Sequence, residues 1–188
     1  MPFTELNSVE HFIIHRLSGV NLNQPVAASH PPVYGAQWQY LPASELLREQ
    51  TEVLVEGELK KALLRLNPEI AEQTDRADEV IYKLRTILLT VNSVGLVRAN
   101  EEFAGWMRGE KSMPFGKNYA HVPVKLIDFE NLNNNVYHIV NQFHIRHRET
   151  KIPDIVLLIN GIPVVVGEAK TPIRPAITWL DAAADIHD

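Results

Sequence analysis

Residues 155–166 hold two runs of aliphatic side chains, Ile155-Val156-Leu157-Leu158-Ile159 and Ile162-Pro163-Val164-Val165-Val166, with only Asn160-Gly161 between them. Asn-Gly between β-branched runs is a strong hairpin signal, because both residues tolerate the positive φ that a tight turn needs. Strands that are apolar on both faces must be covered on both faces, so this hairpin belongs inside a layered structure. Charge enters only at its open end. Asp154 stands where the first strand begins, and Glu168 and Lys170 stand where the second ends. A hairpin folds its ends together, so it masses two carboxylates and an amine at the end of an apolar element.

Register decides whether the three can act together. Glu168 and Lys170 are two apart and share a strand face. A two-residue Asn160-Gly161 loop in plain register sets Asp154 opposite Gly167, on the other face. A three-residue loop or a one-residue bulge sets Asp154 with Glu168. The longer loop or the bulge is therefore expected. Two acidic side chains at a strand end offer hard oxygen ligands suited to Mg²⁺. A lysine beside them can orient a water or steady charge on a phosphate. The plainer alternative is a salt-bridged cluster at a sheet edge, which contributes little.

A length of 188 residues predicts one domain with room for a core. Hydrophobic content of 45% and charged content of 22% are ordinary for a globular chain. The absence of cysteine excludes disulfides, cysteine nucleophiles and thiolate zinc sites, and fits a reducing cytosol. No apolar run reaches transmembrane length, and no signal pattern opens the chain. The net charge of −5 is not that of a domain that grips nucleic acid alone, although a nuclease site is itself acidic.

The first helix is expected from Asn7 to about Leu17, with Asn7 as N-cap and Glu10 as its capping-box partner. Val9, Phe12, Ile13 and Leu17 form its apolar stripe. Asn21 to Leu41, rich in Pro, Asn, Gln and Ala, reads as a long irregular connection that Trp38 and Tyr40 could anchor. Ser44 to Leu66 reads as a helix capped by Ser44, with Val55, Leu59, Ala62, Leu63 and Leu66 on one face. A second helix is expected from Asp78 or Glu79 to Val91. Phe103 and Trp106 fall in a short helix or turn and fill core.

The period changes at His121. Val122, Val124 and Leu126 alternate as a strand, Asn131 to Asn135 form a turn, and Val136 to Ile145 alternate again. Tyr137, Ile139, Phe143 and Ile145 are expected on one face. With the central hairpin this makes four strands in one mixed or antiparallel sheet. Ile177 to Asp188 reads as a closing helix. The basic run His144-Ile145-Arg146-His147-Arg148-Glu149-Thr150-Lys151 has two readings: phosphate contact through Arg146, Arg148 and Lys151, or a solvated strand end. His144 and His147, three apart, cannot share a strand face, which argues against a zinc pair.

Pro153-Asp154, a hairpin, and then Glu168-Ala169-Lys170 resemble the PD-(D/E)xK nuclease motif. The wider text from Val124 to Pro172, "VKLIDFENLNNNVYHIVNQFHI" followed by "PDIVLLINGIPVVVGEAKTP", resembles the N-terminal nuclease domain of type I restriction enzyme R subunits. A weaker likeness runs through "SVEHFIIHRL" and "ELKKALLRLNPEI". The resemblance implies an α/β restriction-endonuclease-like fold, a mixed sheet flanked by helices, in a single domain over residues 1–188. A helical insertion after the first helix would span about 44–110, and the nuclease sheet about 121–188. It implies Mg²⁺-dependent cleavage of double-stranded DNA, with Mn²⁺ able to substitute. Asp154, Glu168 and Lys170 would be catalytic. Asp154, Glu168 and the Ala169 carbonyl would ligate the metal, with Glu10 on the first helix as a further acidic ligand, a reading that competes with the capping box. It implies methylation (M) and specificity (S) subunits as partners, in the cytoplasm of a bacterium or archaeon.

The chain stops inside its last helix and lacks a Gly-x-x-x-x-Gly-Lys-Ser/Thr phosphate loop. It is therefore expected to be the N-terminal piece of a longer motor subunit whose ATP site lies beyond Asp188. One departure stands out. R subunits carry Gln-x-x-x-Tyr on the helix after the lysine, and the positions by spacing are Ala182 and Ile186. Asp185 and His187 are the nearby polar residues. The residues leave three classes open: an endonuclease domain, an inactive relative kept for assembly or DNA positioning, and an unrelated α/β binding domain with a structural ion cluster.

Overall fold

A computed structural model describes residues 6–23, 38–146, 149–170, 180 and 183–184. Arg148, His147, Ala182, Asp185, Ile186, His187 and most of the expected closing helix lie outside these residues. Leu180, Ala183 and Ala184 are helical. The chain divides into two compact units: Met1–Val55 with Tyr137–Asp188, and Glu56–Val136.

The first unit opens with a π-helical turn over Leu6–Glu10 that runs into helix α1, His11–Ser18. Gly19 ends α1 with φ +77, and its N–H donates to the His15 carbonyl at 2.9 Å, the left-handed stop that glycine adopts at little cost. Strand β1 is Trp38–Tyr40. A 3-10 turn over Ala43–Glu45 and an irregular run to Val55 follow.

In the second unit, helices α2 (Glu56–Leu66), α3 (Pro68–Ala71), α4 (Asp75–Leu89), α5 (Val91–Val94) and α6 (Leu96–Met107) precede a small antiparallel pair, β2 (Ser112–Met113) and β3 (Val122–Pro123). Leu59, Ala62, Leu63, Ile70, Val80, Leu84 and Trp106 are buried, at the periodic positions of an apolar helical stripe. Buried Asn67 replaces the missing helix partners at the α2–α3 break. Its amide donates to the Leu63 carbonyl at 3.0 Å and the Lys125 carbonyl at 2.9 Å, and its oxygen accepts from the Lys125 N–H at 2.8 Å.

The first unit then resumes with β4 (Tyr137–Asn141), β5 (Ile145–Arg146), β6 (Thr150–Lys151), β7 (Ile155–Ile159) and β8 (Ile162–Gly167). Its sheet has the order β1-β4-β7-β8; β1 runs parallel to β4, and the other pairs are antiparallel. Strands β5 and β6 form a separate hairpin. Ile139 and Ile155 pack with Ile14 of α1 on one face of the main sheet. Val140, Val156, Leu158 and Phe143 pack with Leu46 and Val55 on the other. Each fully buried side chain of this kind stabilises the fold by about 1.5–3 kcal/mol.

Several expectations change, each for a physical reason. Asn7 lies inside the helical turn that begins at Leu6, so it is not an N-cap. Ser44 starts no long helix. The backbone of 46–55 is used in tertiary bonds, with the Val55 N–H on the Gly161 carbonyl at 2.9 Å and the Gln50 carbonyl taking the Arg146 N–H at 2.8 Å. Helix α4 begins at Asp75, where Asp75 and Asp78 favour its positive end. Phe103 and Trp106 sit in a full 12-residue helix. The strand expected over Val122–Leu126 shrinks to two residues outside the main sheet, because the Lys125 N–H is taken by Asn67. The fourth strand of the main sheet is instead β1, three residues inside the Pro-rich stretch read as irregular. Gln142, with φ +53, breaks the alternation of β4, so Phe143 packs on the Val140 face and not with Ile139.

Candidate active site

The hairpin turn has two residues, since Ile159 pairs directly with Ile162. Asn160 and Gly161 have φ of +52 and +80, the two positive values of a tight turn that follows the twist of its strands. The register slips once. Leu158 pairs with Pro163 and Leu157 with Val165, leaving Val164 as the extra residue of a bulge. Pro163 has no N–H for the ladder, and an edge strand beside a bulge is where a proline is tolerated. Past the bulge, Ile155 faces Gly167, so the next step outward brings Asp154 level with Glu168.

Side chains knit this end together. Asp154 Oδ2 accepts from the Ala169 N–H at 2.7 Å. Lys170 Nζ donates to Glu168 Oε1 at 2.9 Å, with both side chains about four-fifths covered. Asp154, Glu168, Ala169 and Lys170 thus meet at one hairpin mouth, although the Ala169 group in contact with Asp154 is its N–H.

Glu10 joins from the turn before α1. Only 2% exposed, it does not serve as a capping-box partner at an N-cap but faces the sheet. Its Oε2 accepts from Asn141 Nδ2 at 3.3 Å, and its two oxygens accept from Gln142 Nε2 at 3.1 and 3.2 Å. The same Gln142 nitrogen lies 3.2 Å from Asp154 Oδ1. Tyr40 donates to Asn141 Oδ1 at 3.0 Å. Burial pushes the Glu10 carboxyl above its ordinary range. The amides of Gln142 and Asn141 pull the other way, and the charge of Asp154 adds to the rise. Burial also raises the Tyr40 phenol, with the nearby Glu10 and Glu45 charges behind it.

Tyr40, Asn141 and Gln142 were not among the expected site residues. For Asn141 and Gln142 a signal is present in the sequence, since they interrupt the apolar run Ile139-Val140…Phe143; Tyr40 has none, because only the pairing of β1 with β4 brings it there. Arg146 and Lys151 are exposed on the β5–β6 hairpin, while Arg148 lies outside the described residues. His144 Nδ1 is 2.9 Å from the Gln142 carbonyl. Among the described residues, no group of three or more His, Asp or Glu side chains converges as a ready metal cage. Nor is any helix among them long and apolar enough to cross a membrane.

The family model for the N terminus of the type I restriction enzyme R protein matches residues 32–188. This chain belongs to that family. The match takes in Gln142, Asp154, Glu168 and Lys170 and leaves out Glu10. Over 130 residues, 66% of the chain, it is 35% identical to the type I restriction enzyme HindI endonuclease subunit of Haemophilus influenzae. Over 170 residues, 87% of the chain, it is 25% identical to the putative type I restriction enzyme MjaIXP endonuclease subunit of Methanocaldococcus jannaschii. The aligned parts are 12% and 15% of those relatives' lengths. No solved structure matches.

Proposed function

We propose that this chain is the nuclease domain of a type I restriction enzyme R subunit, with a restriction-endonuclease-like PD-(D/E)xK fold, and that it hydrolyses phosphodiester bonds of double-stranded DNA. The observation that carries the reading is the bulge at Val164, which brings Asp154 level with Glu168 at the hairpin mouth.

The donor set fits a hard divalent ion. Asp154 and Glu168 offer carboxylate oxygens, and a carboxylate has lone pairs left after accepting one hydrogen bond per oxygen. Mg²⁺ is commonly held by one or two carboxylates, waters and substrate phosphate, so a small protein ligand set suits it better than a closed cage. Asp154 and Glu168, with the Ala169 carbonyl and in the wider site Glu10, would hold Mg²⁺ or Mn²⁺. When bound, the ion would supply an acidified water and charge relief at phosphorus.

The chain's own groups have distinct tasks. The Asp154–Ala169 bond pins the start of one strand to the end of the other. Lys170, paired to Glu168, brings a positive charge to the edge where a phosphate oxygen would gain negative charge. It can also hold a water in line for attack. Arg146, Lys151 and Arg148 would contact backbone phosphates and position the duplex without reading its sequence. Methylation and specificity subunits, and ATP bound elsewhere in a longer subunit, would complete the cytoplasmic enzyme.

Calorimetric titration of Mn²⁺ and Mg²⁺ tests the reading. The wild-type chain should show saturable binding, lost in Asp154→Ala and in Glu168→Ala. Binding that survives both substitutions would overturn the site. The absent Gln-x-x-x-Tyr supports a second reading, a DNA-positioning module without cleavage. Ion binding without DNA hydrolysis by the assembled, ATP-supplied complex would favour it.

A further inference from the structure

Gln142 is the first residue after β4, and its φ of +53 is costly for a residue with a side chain. The left-handed region crowds the Cβ of such a residue against the following carbonyl oxygen. Strain of this kind persists only where surrounding contacts hold it. Here the contacts are polar and converge on the candidate site. The Gln142 N–H donates to the Asp154 carbonyl at 3.0 Å. Its side-chain amide lies 3.2 Å from Asp154 Oδ1, and 3.1 and 3.2 Å from the oxygens of Glu10. One NH₂ group therefore stands between carboxylates that come from different elements of the first unit.

The backbone turn makes this possible. Continued strand alternation would send residue 142 to the Val140 face and Phe143 to the Ile139 face. With the left-handed turn, Phe143 packs beside Val140, and Asn141 and Gln142 both reach Glu10. Asp154 is then gripped at both oxygens, Oδ1 by Gln142 and Oδ2 by the Ala169 N–H, which fixes the plane of its carboxylate. Groups that orient a ligand in this way affect affinity without touching the ion.

We propose that Gln142 is a positioning residue for Asp154: its left-handed backbone turns its amide onto the Asp154 carboxylate and sets the orientation in which that carboxylate takes a divalent ion. The inference rests on Asp154 being an ion ligand, as read above, and its test separates the two.

Gln142→Gly is the informative variant, because glycine adopts positive φ without strain and the fold is kept while the amide is lost. Gln142→Asn is the second; asparagine tolerates the same backbone but is one methylene short of both carboxylates. Two readouts are needed. The first is the Ala169 amide proton by NMR without metal, which senses the Asp154 carboxylate directly. In both variants its resonance should move upfield and its exchange quicken, while the Val156 amide inside β7 stays unchanged. The second is Mn²⁺ affinity by calorimetry, which should weaken about tenfold while the circular dichroism spectrum stays that of the folded wild type. An unaltered Ala169 amide, or Mn²⁺ affinity within about twofold of wild type at the tenfold resolution expected, overturns the positioning role. Absence of Mn²⁺ binding in the wild type would overturn the ion site itself, and the Ala169 amide would still decide whether Gln142 orients Asp154.

Discussion

Glu10 shows how one buried carboxyl can link stability to pH. Burial raises its pKa in the folded chain above its unfolded value. The folded state then holds its proton to higher pH than the unfolded state does. Its contribution to stability is fully present below the unfolded value and is lost as pH rises through the raised folded value. Glu10→Gln removes that titration. The stability of wild type relative to Glu10→Gln, measured by urea unfolding, should be higher near pH 4 than at pH 8. A difference that does not vary with pH would mean that Asn141 and Gln142 fully compensate the burial.

At the scale of the element, the hairpin β7–β8 depends on one extra residue. Were Val164 paired in the ladder instead of bulged out, the two-residue turn would set Asp154 opposite Gly167 and turn Glu168 away. Deleting Val164 removes the bulge but keeps the pairs Leu157–Val165, Val156–Val166 and Ile155–Gly167, so Asp154 stays level with Glu168. That variant should keep saturable Mn²⁺ binding. Deleting Val164 and Val165 together instead slips the strand by one residue and sets Asp154 opposite Ala169. The double deletion should lose binding as fully as Asp154→Ala does, although every proposed ligand is still present. Retained binding in a folded double-deletion variant would show that register does not control the site. The same element explains why Pro163 is tolerated: it lies next to the bulge and, among the described residues, on an edge strand.

At the scale of the whole molecule, the chain leaves and re-enters the first unit at neighbouring points. The Val55 N–H donates to the Gly161 carbonyl, and Tyr137 pairs with Ile159 across the sheet. Gly161 and Ile159 are the two ends of one tight turn. The first unit also covers both faces of its sheet with its own residues, Ile14 on one and Leu46 with Val55 on the other. Replacing residues 56–136 by a flexible linker of about six residues should therefore leave a folded unit with its Ala169 amide still held by Asp154. Circular dichroism and the NMR spectrum of that variant check it. A molten spectrum, with no dispersed amides, would mean that the first unit's core is incomplete alone.

The local chemistry of the hairpin was legible in the chain itself. Asn160-Gly161 specifies a tight turn, the aliphatic runs specify strands, of which the first is covered on both faces while Val165 and Val166 of the second stay exposed, and Asp154, Glu168 and Lys170 declare themselves as charges where such strands end. The apolar period of α4 and the asparagine turn at 131–135 are equally local, because neighbours in sequence supply their hydrogen bonds. What tertiary structure decided has distant partners. Trp38–Tyr40 is a strand only because β4 lies beside it. Residues 46–55 are not helical because Gly161 and Arg146 take their backbone bonds. The strand expected at 122–126 ends early because Asn67 claims the Lys125 N–H. The orientation of Glu10 belongs to the same class. A capping box and a ligand shared with Gln142 look alike in a line of residues, and only the approach of β4 to the first helix, 131 and 132 positions away in sequence, selects between them.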